Sequence, residues 1–361
     1  MKFSRLIPFF LLFTVFTAFS QDVVVIESRP TTIYIEQGNN KQIVNFDFLV
    51  SNILSDTLSL DRLSISVFDS ENNLLQSRFL DNNGTAPSIL ILPKRIWNGE
   101  VTQLLFNPFS EFEITTPIYR LEYEWTFSDK KEKEFTLKSI VYPQKYVQKN
   151  KLVFPLKGKM LVYDAHDYNS HHRRFDYNFQ PIKEFGLNTN FMRYAYDFVI
   201  LDNENKSFKN KGESDADYFG FGNPIYAVAE GKVIYVATEH KDDKNFDVSK
   251  LKKNPLELYG NCIAIEHSDS SISVYGHLKE NSIKVKLGDI VKAHQELAQI
   301  GVSGSSFFPH LHFEIRTSLS NTAEGLPSYF NNLYLLEGKF KKKLATGLLE
   351  TGSIIETKGN N

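Results

Sequence analysis

From residue 22 to about residue 145 the chain sets apolar and polar side chains in alternation. Ile33 and Ile35 begin the pattern, Val44, Phe46, Phe48 and Val50 continue it, then Leu63, Ile65 and Val67, and later Leu121, Tyr123, Trp125 and Phe127. Alternation of period two makes one face of a strand apolar. Gln37-Gly38-Asn39-Asn40, Glu71-Asn72-Asn73 and Asn82-Asn83-Gly84 supply turns between the runs. Short strands at this spacing predict an immunoglobulin-like β-sandwich, assigned to residues 21–148. The region has no histidine, and its acidic residues fall mostly at turns or on the polar side of strands. It reads as a spacer or docking module without chemistry of its own.

Lys- and Gln-rich sequence near Tyr142-Pro143 interrupts the pattern, and a second β-rich region is assigned to residues 149–336. Ile225 to Val236 reads as strand, Glu230-Gly231 turn, strand. Asn261 to His267 and Ser271 to His277 read as a hairpin across Ser268-Asp269-Ser270. Residues 238–259 form a polar insertion, more loop than element. Helix-like stretches stand at 181–185 and 327–336. Residues 337–361, with Lys341-Lys342-Lys343, are expected to form a polar, partly disordered tail.

Length and charge narrow the class. The 361 residues are 42% hydrophobic and 23% charged, ample for a core. The net charge of −2, without a basic stripe, argues against a nucleic-acid partner. Residues 1–20 have the form of a signal peptide: Lys2 and Arg5, an apolar run from Leu6 to Phe19, and small residues Ala18 and Ser20 before Gln21. Export is therefore expected, to a periplasmic, cell-envelope or extracellular location. No other run suits a bilayer span, so an integral membrane protein is not expected. The single cysteine, Cys262, lies in an apolar run and reads as a buried small hydrophobe.

All nine histidines lie in the second region. His310 and His312 flank Leu311, and on a strand residues i and i+2 share a face. That face also takes Glu314 and Arg316, while Leu311, Phe313 and Ile315 take the buried one. Paired imidazoles on one face suit a metal ligand beside a catalytic base, although an isolated His-x-His is more often a surface pair. Val274-Tyr275-Gly276-His277 ends another predicted strand with a histidine. Lys286-Leu287-Gly288-Asp289, Ala298-Gln299-Ile300-Gly301 and Ser303-Gly304-Ser305-Ser306 between the two provide tight reversals.

In this order, Gly222 to Val233, Tyr259-Gly260-Asn261, Tyr275-Gly276-His277-Leu278, Gly288-Asp289, Gly301-Val302-Ser303-Gly304 and Pro309-His310-Leu311-His312-Phe313-Glu314 resemble the lysostaphin-type (LytM-like) zinc metallopeptidases. Those are peptidoglycan endopeptidases with a duplicated hybrid motif fold. The resemblance spans about residues 150–335 and leaves out the sandwich. It implies an all-β, mainly antiparallel chain with a LytM-like domain after the sandwich, and Zn2+ as cofactor. It also implies His312 and Asp197 as metal ligands, and His277 and His310 as catalytic residues flanking a zinc-activated water. Peptidoglycan peptides are the implied substrate, with cell-wall proteins as further partners.

The chain departs from the family at one ligand. The usual histidine four residues before the aspartate is here Arg193, and a guanidinium stays protonated and does not ligate zinc. Ser170-His171-His172-Arg173-Arg174 offers a replacement imidazole, His172 preferred to His171 and then to His166; the other reading is a solvated, substrate-facing patch. Three functions stay open: a secreted zinc endopeptidase cutting peptidoglycan cross-links, a catalytically degenerate member that binds cell wall or activates a partner hydrolase, or a secreted binding protein whose histidines buffer or store metal.

Overall fold

The computed structural model describes residues 23–357; the stretch read as a signal peptide and residues 358–361 lie outside it. The alternating N-terminal runs form strands β1 (Val24–Arg29), β2 (Asp47–Asn52), β3 (Leu58–Phe68), β4 (Leu74–Asp81), β5 (Thr102–Phe106), β6 (Arg120–Asp129) and β7 (Glu134–Val141). They pair as β1-β2-β5 and β7-β6-β3-β4, all antiparallel. Phe48 and Val50 from one sheet and Leu63, Tyr123 and Trp125 from the other are buried in one core. Phe48 meets Tyr123 and Trp125 edge-on at 4.9 and 4.8 Å. Apolar faces with period two thus close on each other and exclude water.

The second region is built on an eleven-stranded sheet. Its main strands are β8 (Lys159–Asp164), β9 (Tyr196–Leu201), β10 (Gly231–Ala237), β11 (Cys262–Glu266), β12 (Ile272–Gly276), β13 (Leu311–Arg316), β14 (Leu333–Glu337), β15 (Phe340–Lys343) and β16 (Ile354–Thr357). They run in the order β10-β11-β12-β13-β9-β8-β16-β14-β15, again antiparallel. The middle strands are covered on both faces. Ile263 and Ile265 join the main core, while Cys262 and Ala264 join a second cluster with Phe191, Leu256 and Tyr259. Two-sided burial explains why β11 is a continuous apolar run rather than an alternating one.

Four expectations change. Residues 225–236 are not one hairpin: Pro224–Tyr226 pairs with Glu296–Gln299 in a separate two-stranded sheet, and only β10 enters the large one. The stretch 327–336 is not helical, because Leu333 faces the core and Leu335 packs against it with strand spacing. The insertion 238–259 holds two short 3-10 turns, Val248–Lys252 and Pro255–Tyr259, that bury Leu251, Leu256 and Tyr259. The segment expected as a polar tail supplies β15 and β16 instead. β16 lies inside the sheet between β8 and β14, with Ile355 fully buried. The lysine run occupies β15, the outer strand of that path, where charge protects an open edge.

Candidate metal centre

Four neighbouring strands bring the chemistry into one row. Asp164 stands opposite Asp197, Asp197 opposite His312, and His312 opposite Gly276. A register shift between Val162 and Asp164 displaces Tyr163 and turns it toward the same opening. On β13 the alternation predicted from sequence holds, and β9 beside it follows the same division of faces. Tyr196, Phe198, Leu311, Phe313 and Ile315 enter the core, and Asp197, His312, Glu314 and Arg316 share the other face. That face is roofed by loops, so all four are buried.

His277 follows the last residue of β12 at φ 58°, a left-handed conformation that a residue with a Cβ rarely holds without outside support. Its N–H donates to the Tyr259 carbonyl at 2.8 Å, and its own carbonyl accepts from Gly301 at 2.9 Å. Gly260 and Gly304 make this possible by letting two backbones touch. A Cβ on Gly260 would sit 2.3 Å from the Gly304 nitrogen, and both have positive φ. The glycine-bearing loop, expected as a tight reversal, also packs backbone on backbone and positions residues on either side.

His172, Asp197 and His312 present donor atoms within 4.8 Å of one another. His312 Nδ1 lies 3.1 Å and His172 Nε2 3.5 Å from Asp197 Oδ1. Two bonds of about 2.1 Å at a tetrahedral angle hold donors about 3.4 Å apart, so the set fits zinc. The other nitrogen of each imidazole faces a carboxylate. Asp164 Oδ2 is 3.0 Å from His172 Nδ1, off the line of a good hydrogen bond, and Glu314 Oε2 is 3.7 Å from His312 Nε2. Carboxylates behind ligand histidines fix the ring and raise its basicity. Glu314 is itself held by the Tyr259 hydroxyl at 2.9 Å and by Arg316.

His277 and His310 are arranged differently. His277 Nδ1 is 2.8 Å from the Ser303 carbonyl, and His310 Nδ1 is 2.8 Å from the Phe308 carbonyl. A carbonyl only accepts, so each Nδ1 carries the proton and each Nε2 keeps its lone pair. Burial and the neighbouring His310 and His312 hold the His277 imidazole well below its usual value; burial also lowers His310, against the pull of Asp197. Burial pushes the Asp197 carboxyl up, but His172, His310 and His312 outweigh it and keep Asp197 well below the usual carboxylate range. Over the row opens a cavity of about 390 Å³, walled by Tyr163, Met192, Leu258, Phe307 and Phe308.

The family model described as Peptidase family M23 matches residues 216–324. Lipoprotein NlpD of Yersinia enterocolitica is 37% identical over 95 residues, covering 26% of this chain and 78% of that protein. This chain belongs to peptidase family M23. Murein hydrolase activator NlpD of Salmonella typhimurium is 34% identical to the M23 chain over 125 residues, 34% of this chain and 28% of that relative's length. The solved catalytic domain of the antimicrobial peptidase lysostaphin from Staphylococcus simulans shares 27% identity, covering 37% of this chain and 74% of that domain, with a TM-score of 0.24.

His277, His310 and His312 lie inside the M23 match, whereas Asp197 and His172 precede it. The structure brings all five together. His171 is also close, its Nδ1 2.8 Å from Asp164 Oδ2, but its side chain is 64% exposed and its Nε2 is 3.9 Å from Asp197 Oδ2. His166 is elsewhere, 3.0 Å from Glu36 Oε2 in a buried pair. Arg193 points away from the row and ion-pairs with Asp47 at 2.6 Å. Sequence reasoning missed Asp164, Tyr259 and the role of Glu314 in the M23 centre. Glu314 carried a signal, since alternation already put it beside His312. It also gave the sandwich no chemistry, yet Glu36, Asn45 and Asp47 are fully buried against the M23 domain. Among the described residues, no helix is long and apolar enough to cross a membrane.

Proposed function

We propose that the chain is an exported zinc endopeptidase that hydrolyses peptide cross-links of peptidoglycan. The carrying observation is the division of labour among buried imidazoles: two backed by carboxylates beside Asp197, and two backed by carbonyls with Nε2 free. His172, Asp197 and His312 would hold the ion and leave a fourth position open, as a catalytic zinc site requires. The chemistry a bound zinc ion supplies is Lewis acidity toward water and carbonyl oxygen. His310 Nε2, 3.5 Å from Asp197 Oδ1, then serves as base toward the attacking water. His277, its Nδ1–H committed to the Ser303 carbonyl, offers the lone pair of Nε2 beside it as a second acceptor that orients the attacking water. Tyr163, Phe307 and Phe308 exclude water from one wall of the groove.

A second reading has one observation in its favour: a relative 34% identical over 125 residues is named a murein hydrolase activator. In that case the chain binds cell wall and stimulates a partner hydrolase without cutting. One assay separates the two. Release of new amino groups from purified peptidoglycan is measured with wild type, His310→Ala and Asp197→Ala, alongside zinc content. The endopeptidase reading expects about one zinc per wild-type chain and a loss of rate of at least 100-fold in both variants. Equal release by all three proteins would sink it, as would zinc-loaded wild type that releases nothing.

A further inference from the structure

His172 is on neither β8 nor β9 but in the loop between them, and the loop is held from outside. The next residue, Arg173, is fully buried, and its guanidinium is received by three consecutive residues of the sandwich. Nε donates to Asn45 Oδ1 at 2.9 Å, Nη2 donates to the Phe46 carbonyl at 2.7 Å, and Nη1 pairs with Asp47 Oδ1. The other Asp47 oxygen takes Arg193, four residues before Asp197. Further back in the loop, the His166 carbonyl accepts from Asn45 Nδ2 at 3.2 Å. The second region braces the loop as well: Asn190 Nδ2 donates to the His172 and Arg173 carbonyls at 3.0 and 3.2 Å, the His172 N–H donates to Asp164 Oδ2 at 3.3 Å, and the Thr351 N–H donates to Asp167 Oδ2 at 2.7 Å.

We infer that Arg173 is a positioning residue for His172, that Asn45, Phe46 and Asp47 are its receptor, and that the metal centre is complete only with the sandwich docked. The inference rests on His172 being a ligand. A planar fork with fixed donor directions sets an orientation that a lysine ammonium or an apolar contact leaves free. Holding the loop in its liganding conformation before the ion arrives removes an ordering cost from binding. Arg193 fits the same account: at the position where the family pattern has a ligand histidine, this chain has a second clamp on Asp47, and the imidazole comes from the clamped loop.

The test uses the full chain and zinc alone. Zinc affinity is measured by competition with a chromophoric chelator for wild type, His172→Ala, Arg173→Gln and Arg173→Lys, with the thermal midpoint of each zinc-free protein recorded separately. Arg173→Gln is expected to weaken zinc by about 10–100-fold, the range for outer-shell partners, with Arg173→Lys between it and wild type. A purely structural Arg173 would lower the zinc-free midpoint and leave affinity in the folded protein within twofold of wild type; that result overturns the inference. Wild-type affinity in His172→Ala overturns the ligand reading beneath it, so the two failures are distinct. Should Arg173→Gln not fold, Asn45→Ala removes one receptor atom, and unchanged zinc affinity there overturns the inference equally.

Discussion

Each imidazole of the centre has one nitrogen engaged by the protein, and the nature of that partner determines what the other nitrogen does. His172 and His312 back onto carboxylates, which enrich a ring for metal binding; His277 and His310 back onto carbonyls, which fix a tautomer and add no charge. Glu314→Gln keeps the shape and removes the charge behind His312, so zinc affinity is expected to fall about 10–100-fold in a chelator competition. Unchanged affinity would detach Glu314 from the metal. A second residue controls stability. Burial pushes the Glu324 carboxyl up to about 7, against the pull of Arg193 and with Asp47 adding to the rise. Its folded value exceeds its unfolded one, so its contribution is full below about pH 4.5 and lost as pH rises through 7. Urea unfolding of zinc-free protein should show wild type losing roughly 2 kcal/mol more than Glu324→Gln across that window, allowing for partial exposure of the side chain. Parallel pH curves would count against it. Of these residues, His312 was legible from its strand face and His277 from its strand end, while His310, just before β13, was singled out with them only by the order of the surrounding motifs. Asp164 was not, because a register shift places it in the row and no local pattern announces that.

Between strands, the decisive contact is made without side chains. The Gly260–Gly304 crossing keeps Tyr259 over His312, their rings 4.8 Å apart, and keeps the Ser303 carbonyl on His277. Gly304→Ala adds a Cβ that meets Gly260 at 2.3 Å in a backbone conformation unsuited to it. The expected cost is about 2–4 kcal/mol, from strain and overpacking together, read as a lowered urea midpoint. A neutral substitution would mean that the two loops can part without harm. The sequence marked this loop as special through its small residues. Which surface it approaches depends on the insertion 238–259, and that insertion reads as polar loop until Leu251, Leu256 and Tyr259 are seen to turn inward.

At the scale of the molecule, two alternating patterns gave two β-rich bodies, but periodicity says nothing about how such bodies meet. Asp47 sits between Phe46 and Phe48 on what the pattern marks as the polar face, and that face is the docking surface. Two guanidinium groups converge on it with all three side chains out of water. Asp47→Ala leaves both cations unpaired, and a loss of about 3–5 kcal/mol of unfolding free energy is expected. An effect under 1 kcal/mol would show that the interface rearranges freely. The C-terminal segment misled for a related reason: charge marks β15 as solvated, and only the sheet reveals β16 as an inner strand.

That inner strand also has a bearing on time. Met160 on β8 pairs with Ile355, about 195 residues later. A growing chain that has reached Arg316 holds every residue of the metal row, yet the β8 edge at Lys159–Leu161 is still unpaired. Pairings this remote in sequence form slowly, and an open strand edge is a template for wrong partners. The interval between making Arg316 and making Ile355 is therefore when this chain is most exposed to aggregation, and a helper that shields nascent strands would matter most then.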